Sequence, residues 1–243
     1  VLPILTVADL HGHRAHLDAL LAWADDSLGP HRLVLLGDYC DNGPDVPGLL
    51  DRIIALQQAR GPGFAAILGN HDLACLRALD DPAWYRQWST RYWNPGQGTP
   101  RAYGAADQAG FRAAFPRRHR ALLAGLPWAL RWPDHAFVHA GLAPGPLAPQ
   151  LVALAARRLP IERLHLPPAL RDRDLSTASD PAWEATVVSA HNGDLATPLF
   201  LGPRRVCLRA EVDRTGQLHA LVLPTGPLVT VSPSLHVSTQ VLP

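Results

Sequence analysis

Five short apolar runs, each ending in a residue able to bind a metal, constrain this chain more than any other feature. Leu2 to Ala8 ends at Asp9, with His11 just beyond. Arg32 to Leu36 ends at Gly37-Asp38, and Phe64 to Leu68 at Gly69-Asn70-His71. Ala136 to Val138 ends at His139, and Thr186 to Ala190 at His191. Runs of this length bounded by polar residues read as buried strands. Helical patterns alternate with the first three. Leu17, Leu20, Leu21 and Trp23 share one face. Pro44 to Arg60 carries Leu49, Leu50, Ile53, Ile54 and Leu56, and Gly61-Pro62-Gly63 stops it. Strand, polar loop and helix in repetition predict an α/β sheet with functional groups at the strand ends, where a rigid scaffold positions them.

Beyond the third run the rhythm breaks. Trp84, Tyr85, Trp88, Tyr92, Trp93 and Tyr103 crowd into residues 80–103 with Pro and Gly between them. That stretch predicts an aromatic-rich insertion or cap. Its rings form either a small local core, the more common arrangement, or a surface on which a base stacks. Helical patterns resume around 107–125. Residues 143–185 are rich in Pro and Arg and give no clear assignment. From Arg204 onward, 204–210, 217–223 and 227–231 alternate like antiparallel strands. No internal repeat or long linker is visible, so one domain over residues 1–243 is expected.

Composition excludes several classes. Apolar residues are 47% of 243, enough for a substantial core, and a net charge of +1 gives no global field toward nucleic acid or membrane. No apolar run approaches the ~20 residues that span a bilayer. No secretory pattern opens the chain. Cys40, Cys75 and Cys207 lie far apart without a CxxC, so neither a disulfide framework nor a thiolate zinc site is indicated. A reducing, cytoplasmic setting is the expectation. All 22 basic residues are Arg, which excludes a P-loop lysine.

The donors at the strand ends are carboxylate, imidazole and amide oxygen, a set suited to borderline or hard divalent ions. An Asp between two such ions can bridge them, and two-metal sites suit in-line phosphoryl displacement. Four motifs occur in order: Asp9-Leu10-His11-Gly12, Gly37-Asp38-Tyr39-Cys40-Asp41-Asn42-Gly43, Gly69-Asn70-His71-Asp72 and Val138-His139-Ala140-Gly141. Together they resemble the signature of the calcineurin-like metallophosphoesterases, and in particular the phosphoprotein phosphatase branch. Asn94-Pro95-Gly96 through Tyr103-Gly104, and Val138 through Gln150, are similar to segments of its bacterial members. The resemblance implies an α/β fold of two packed mixed β-sheets flanked by helices. It implies Asp9, His11 and Asp38 on one ion, and Asp38, Asn70, His139 and His191 on the other, with Asp38 bridging. The ions would be Mn, or Fe, Zn, Co or Ni. A metal-bridging hydroxide would attack phosphorus, and His71, oriented by Asp41, would protonate the leaving alkoxide.

The chain also departs from the family pattern. Where the loop normally carries a phosphate-gripping Arg, this sequence has Asn42, and a neutral amide offers no cationic fork. Arg101, Arg171 and Arg173 are the candidate replacements. Ala190-His191-Asn192 differs from the usual Gly-His-Thr, Leu208-Arg209-Ala210 does not match the late Asp-Thr-Gly, and the Trp-Ile-Arg motif is missing. The expected activity is phosphomonoester hydrolysis of a phosphoprotein or small phosphate ester, with no membrane or nucleic-acid partner. The alternatives are a nucleotide phosphohydrolase of the diadenosine tetraphosphatase type, a phosphodiesterase, or a metal-binding regulatory protein without catalysis. His13 and His16 are expected to face solvent.

Overall fold

The computed structural model describes residues 2–89, 98–132, 134–157 and 166–242. Within them the strands are β1 (Ile4–Val7), β2 (Arg32–Leu35), β3 (Phe64–Ala66), β4 (Ala129–Trp132), β5 (His135–Val138), β6 (Thr186–Ser189), β7 (Leu199–Gly202), β8 (Arg205–Leu208), β9 (Leu218–Leu223), β10 (Leu228–Val231) and β11 (Val237–Gln240). The helices are α1 (Arg14–Leu28), α2 (Val46–Arg60), α3 (Asn70–Asp80), α4 (Pro82–Trp88), α5 (Gly98–Ala102), α6 (Gln108–Ala114), α7 (Arg117–Gly125), α8 (Leu147–Ala155), α9 (Pro168–Arg171), α10 (Asp174–Thr177) and α11 (Val212–Thr215). None is long and apolar enough to cross a membrane.

The strands form two mixed sheets, ordered β11-β10-β9-β1-β2-β3 and β4-β5-β6-β8-β7. β1, β2 and β3 are parallel in the first, and β5, β6 and β8 in the second. The apolar runs are continuous because both faces of these strands are covered. Ile4, Val34 and Leu221 from the first sheet meet Phe137, Val188 and Val206 from the second in one buried layer. The alternate residues Leu5, Leu33, Leu35 and Val222 join the larger core on the helical side. Thr6 is buried among the strands, and its hydroxyl donates to Leu221 O at 2.9 Å, so no polar group is stranded there. The expected two-sheet α/β fold is therefore present.

Local chemistry explains the helix limits. Asp45 caps α2 by accepting from Gly48 N at 2.8 Å, Pro47 occupies its first turn, and Gly61 ends it in a left-handed conformation (φ 50°). Residues 70–80, unassigned from sequence, form α3 and bury Leu73, Ala74, Cys75, Ala78 and Leu79. The Pro- and Arg-rich segment contributes three short helices, α8, α9 and α10.

The reading of 204–210, 217–223 and 227–231 as antiparallel neighbours needs correction. β9 and β10 do pair in that way, but β8 lies in the other sheet, parallel to β6 and antiparallel to β7. Alternation identifies a strand but not its partner. β4, β7 and β11 are edge strands that the sequence reading did not assign: the apolar stretches of β4 and β7, Ala129-Leu130 and Leu199-Phe200-Leu201, are short, and β11 is mostly polar and exposed.

Phe137 is fully buried between the sheets, with its ring 5.7 Å from Trp132. Phe137→Ala should lower stability by about 3–5 kcal/mol in a denaturant titration. A loss below about 1 kcal/mol would contradict the packed layer described here.

Candidate metal centre and acid pair

The five expected strand ends converge. Asp9 follows β1, Asp38 follows β2, Asn70 follows β3 at the start of α3, His139 follows β5 and His191 follows β6. Ligand atoms of Asp9, Asp38, His139 and His191 lie within 4.8 Å of one another, as do those of His11, Asp38 and His71. Asp38 belongs to both groups. Asp9 thus falls beside His139 and His191, whereas the resemblance grouped it with His11.

The backbone at this junction is tight. His11 (φ 38°), Asp38 (52°), Asp41 (69°), Asn42 (62°) and His191 (68°) are all left-handed, a conformation that costs about 1–2 kcal/mol per residue. Such clustering marks a site that the surrounding fold over-determines. Gly37 lets the loops meet, because a Cβ there would sit 2.7 Å from Gly69 N and 2.8 Å from His139 Nδ1.

Three histidines are oriented by backbone carbonyls. His11 Nδ1 bonds Cys40 O at 2.8 Å, His139 Nδ1 bonds Leu36 O at 2.7 Å, and His191 Nε2 bonds Arg171 O at 2.8 Å. A ring nitrogen on a carbonyl must carry the proton, so the opposite nitrogen can present a lone pair inward, the usual arrangement of metal-binding imidazoles. Inward-facing His139 Nε2 and His191 Nδ1 are only 3.2 Å apart. The Asn70 carboxamide oxygen faces His139 Nε2 at 2.8 Å, and only acceptors surround it. A cation among these atoms satisfies all of them, so the donor set fits divalent ions.

Electrostatics agree. Burial disfavours charge on His139, but Asp38 and Asp9 outweigh it and raise its pKa to about 10. Burial, helped by His139, pushes His191 down to about 3. Burial raises Asp9 to about 6, with Asp38 adding to the effect. For Asp38, burial is outweighed by His139 and His71, which hold the carboxyl well below its usual range. The buried carboxylates make the pocket attract positive charge.

Beside this cluster, His71 Nδ1 bonds Asp41 Oδ2 at 2.7 Å. Burial opposes the imidazolium, but Asp38 and Asp41 raise the His71 pKa to about 9. The fully buried Asp41 carboxylate also accepts from Trp88 Nε1 at 2.8 Å and Thr99 Oγ1 at 2.6 Å. The aromatic stretch therefore supplies both a small core and a donor. Trp84, Tyr85 and Trp88 are buried, and Trp88 lies 5.5 Å from Phe111. Tyr92, Trp93 and Asn94-Pro95-Gly96 lie outside the described residues.

Asp72 closes the third motif. Its carboxylate accepts from Tyr39 N (2.9 Å), Cys40 N (3.0 Å) and Gly69 N (3.0 Å), pinning the Asp38 loop to the start of α3. Gln150, at the end of the similar segment that begins at Val138, closes the loop after His139 through Ala143 N at 3.0 Å and Ala143 O at 2.9 Å. His16 corrects the expectation of a solvent-facing ring: it is buried, and its Nε2 bonds Gly216 O at 2.9 Å.

Two clefts meet at His71, His191 and Arg173. The smaller, about 130 Å³, is lined by Asp9, His11, Asp38 and Asn42, and also by Asp213 and Arg214. The larger, about 670 Å³, is lined by Asn70, Leu166, Pro168, Arg171 and Asp172. Of the candidate arginines, Arg173 reaches both clefts and Arg171 the larger one. Arg101, on α5, is exposed and lines neither. Arg214 carried no sequence signal.

The comparisons with known proteins agree with this geometry. The family model described as calcineurin-like phosphoesterase matches residues 2–142. No curated protein shows a significant match. Among solved structures, a putative diadenosine tetraphosphatase is 25% identical over 94% of this chain and 92% of its own, with a TM-score of 0.62. A protein serine/threonine phosphatase from Saccharomyces cerevisiae, similar to human phosphatase PP5, is 13% identical over 100% of this chain and 80% of its own, with a TM-score of 0.58. A cold-active protein-tyrosine phosphatase of a Shewanella species is 16% identical over 98% and 80%, with a TM-score of 0.51. The last two share the fold. With the ordered motifs, the two-sheet architecture and the family match in agreement, the chain belongs to the calcineurin-like phosphoesterases and is a phosphoester hydrolase.

Proposed function

We propose that this chain hydrolyses phosphate monoesters at a dinuclear metal centre, with His71 as the acid that protonates the leaving oxygen. The observation that carries the reading is the juxtaposition of the shared Asp38 carboxylate with the His71–Asp41 pair. Asp9, His11 and Asp38 would hold one ion, and Asp38, Asn70, His139 and His191 the other. Oxygen and imidazole donors suit Mn first, and accept Fe, Zn, Co or Ni. Divalent ions in this place supply Lewis acidity and activate water near neutral pH.

The chain's own groups do the rest. His71 N donates to Asp38 Oδ1 at 2.9 Å, which orients the shared carboxylate. The Asp41 carboxylate on His71 Nδ1, at 2.7 Å, opposes the effect of burial and favours the protonated ring, leaving the Nε2 proton to be donated. A leaving alkoxide needs such a donor because it is strongly basic. Trp88 and Thr99 hold the Asp41 carboxylate through two further hydrogen bonds.

A second reading, hydrolysis of dinucleoside polyphosphates, is favoured by the larger cleft. Arg171 and Arg173 line it together with the apolar Leu166 and Pro168, a combination suited to further phosphates and a base. The similar structure at 25% identity is described as a putative diadenosine tetraphosphatase.

The test strips the protein of metal, restores Mn²⁺ and compares p-nitrophenyl phosphate with its bis-ester. The expected result is monoester turnover at about two ions per chain, with both lost in Asp38→Asn. Preference for the bis-ester, or two bound ions without turnover, would contradict the proposal. A phosphopeptide and a dinucleoside tetraphosphate then separate the two substrate readings.

Trp88→Phe keeps an aromatic ring at this buried position but removes the indole N–H that donates to Asp41. A lost hydrogen bond to a charged group costs about 1.5–3 kcal/mol, so kcat should fall roughly tenfold or more at unchanged metal content. An unchanged kcat would show that Trp88 serves only the local core.

A further inference from the structure

Asn42 stands where the resemblance expects a phosphate-gripping arginine, and its side chain is engaged elsewhere. Asn42 Nδ2 donates to Asp213 Oδ2 at 3.0 Å. Asp213 lies on α11, and its neighbour there is Arg214, which lines the smaller cleft together with Asp9, His11 and Asp38. The loop position has thus exchanged its own cation for a tether to the element that carries another.

Arg214 is seated rather than loosely exposed. Its guanidinium lies across the backbone just after His191, donating to Gly193 O and, at 3.2 Å, to Asp194 Oδ1. A Cβ on Gly193 would overlap Arg214 Nη2 and Ala210 O, so the seat exists only because residue 193 is glycine. The helix carrying Arg214 is itself anchored. Buried Glu211, just before α11, bonds His219 Nε2 at 2.9 Å and Arg209 Nε at 3.0 Å. Arg173, which also lines this cleft, pairs with the same Asp194 carboxylate.

Asp194 therefore holds two guanidinium groups side by side at the edge of the cleft that contains the shared Asp38. All three side chains are about half exposed. Ion pairs in that setting are weak and exchange readily for a better anion. A phosphate dianion carries more charge than a carboxylate and offers oxygens to both planar forks.

We propose that Arg214, seated on Gly193, and Arg173 jointly bind the non-bridging oxygens of the phosphoryl group presented to Asp9, His11 and Asp38. They take over the task of the arginine that this chain lacks at Asn42, and Asp194 holds them in place until phosphate displaces it. The inference rests on the phosphoester-hydrolase reading of the cleft but concerns phosphate recognition, which is measurable without turnover.

The test titrates inorganic phosphate calorimetrically into the full-length Mn²⁺-loaded protein and its variants, with metal content measured in each. Arg214→Gln, a half-exposed change that leaves the loop intact, should weaken phosphate binding roughly 10- to 100-fold, the weight of charge-assisted hydrogen bonds. Arg173→Gln should act in the same direction. Gly193→Ala should reproduce the loss although Arg214 is still present. Arg214→Lys should recover only part of the affinity, because a point charge does not replace a fork. Phosphate affinity within about twofold of the parent in the Arg173→Gln/Arg214→Gln double variant would overturn the inference, as would a parent that binds no phosphate. A parent that binds phosphate but turns over no phosphate ester would contradict the hydrolase reading instead, and the affinity comparison would still decide the arginine proposal.

Discussion

Asp38 is the joint on which the rest of the site depends. Its carboxylate is buried, belongs to both groups of ligand atoms, and is steered by the backbone N–H of His71 at the start of α3. A buried carboxylate is costly unless it is paired, and here the imidazoles of His139, His71 and His11 answer it. Those imidazoles arrive from loops that follow three different strands or begin a helix. The pairing of β1 with β2 and β3, and of β5 with β6, is thus what brings opposite charges to one point. The two sheets hold that geometry because their facing layers, from Ile4 to Phe137 and Val206, are dry and closely packed.

The same logic reaches outward. Asp72 ties the Asp38 loop to α3, and Asp41 ties it to α4 and α5 through Trp88 and Thr99. On the far sheet, Arg205 is buried without an acidic partner among the described residues, and burial lowers its pKa to about 10. It donates instead to Ala140 O, Leu175 O, Val187 O, Val206 O and Ser189 Oγ. One guanidinium thereby fixes the loop after His139 to β6 and α10, next to the loop that carries His191. Satisfying many carbonyls with one cation is how this side of the site stays rigid.

Much of this was legible from sequence because it is local. A buried parallel strand announces itself as an apolar run, and a ligand at its end is the next polar residue. Asp9, Asp38, Asn70, His139 and His191 are all found that way. What escaped is set by contacts between distant residues. Trp88 and Thr99 lie 47 and 58 positions from Asp41, and Asp213 lies 171 from Asn42. No short-range pattern encodes such pairs. The approach of Asp9 to His139, at 3.9 Å, is likewise a relation that motif order does not contain. Edge strands β4, β7 and β11 gave no clear signal because their apolar stretches are short or absent.

The account's central claim is that Asp38 serves two ions at once. Low-temperature electron paramagnetic resonance on the fully Mn²⁺-loaded protein tests it most directly. A carboxylate shared by two ions predicts a spin-coupled pair, with the spectrum of isolated Mn²⁺ absent at saturation. An isolated six-line Mn²⁺ signal that accounts for all bound metal would contradict it.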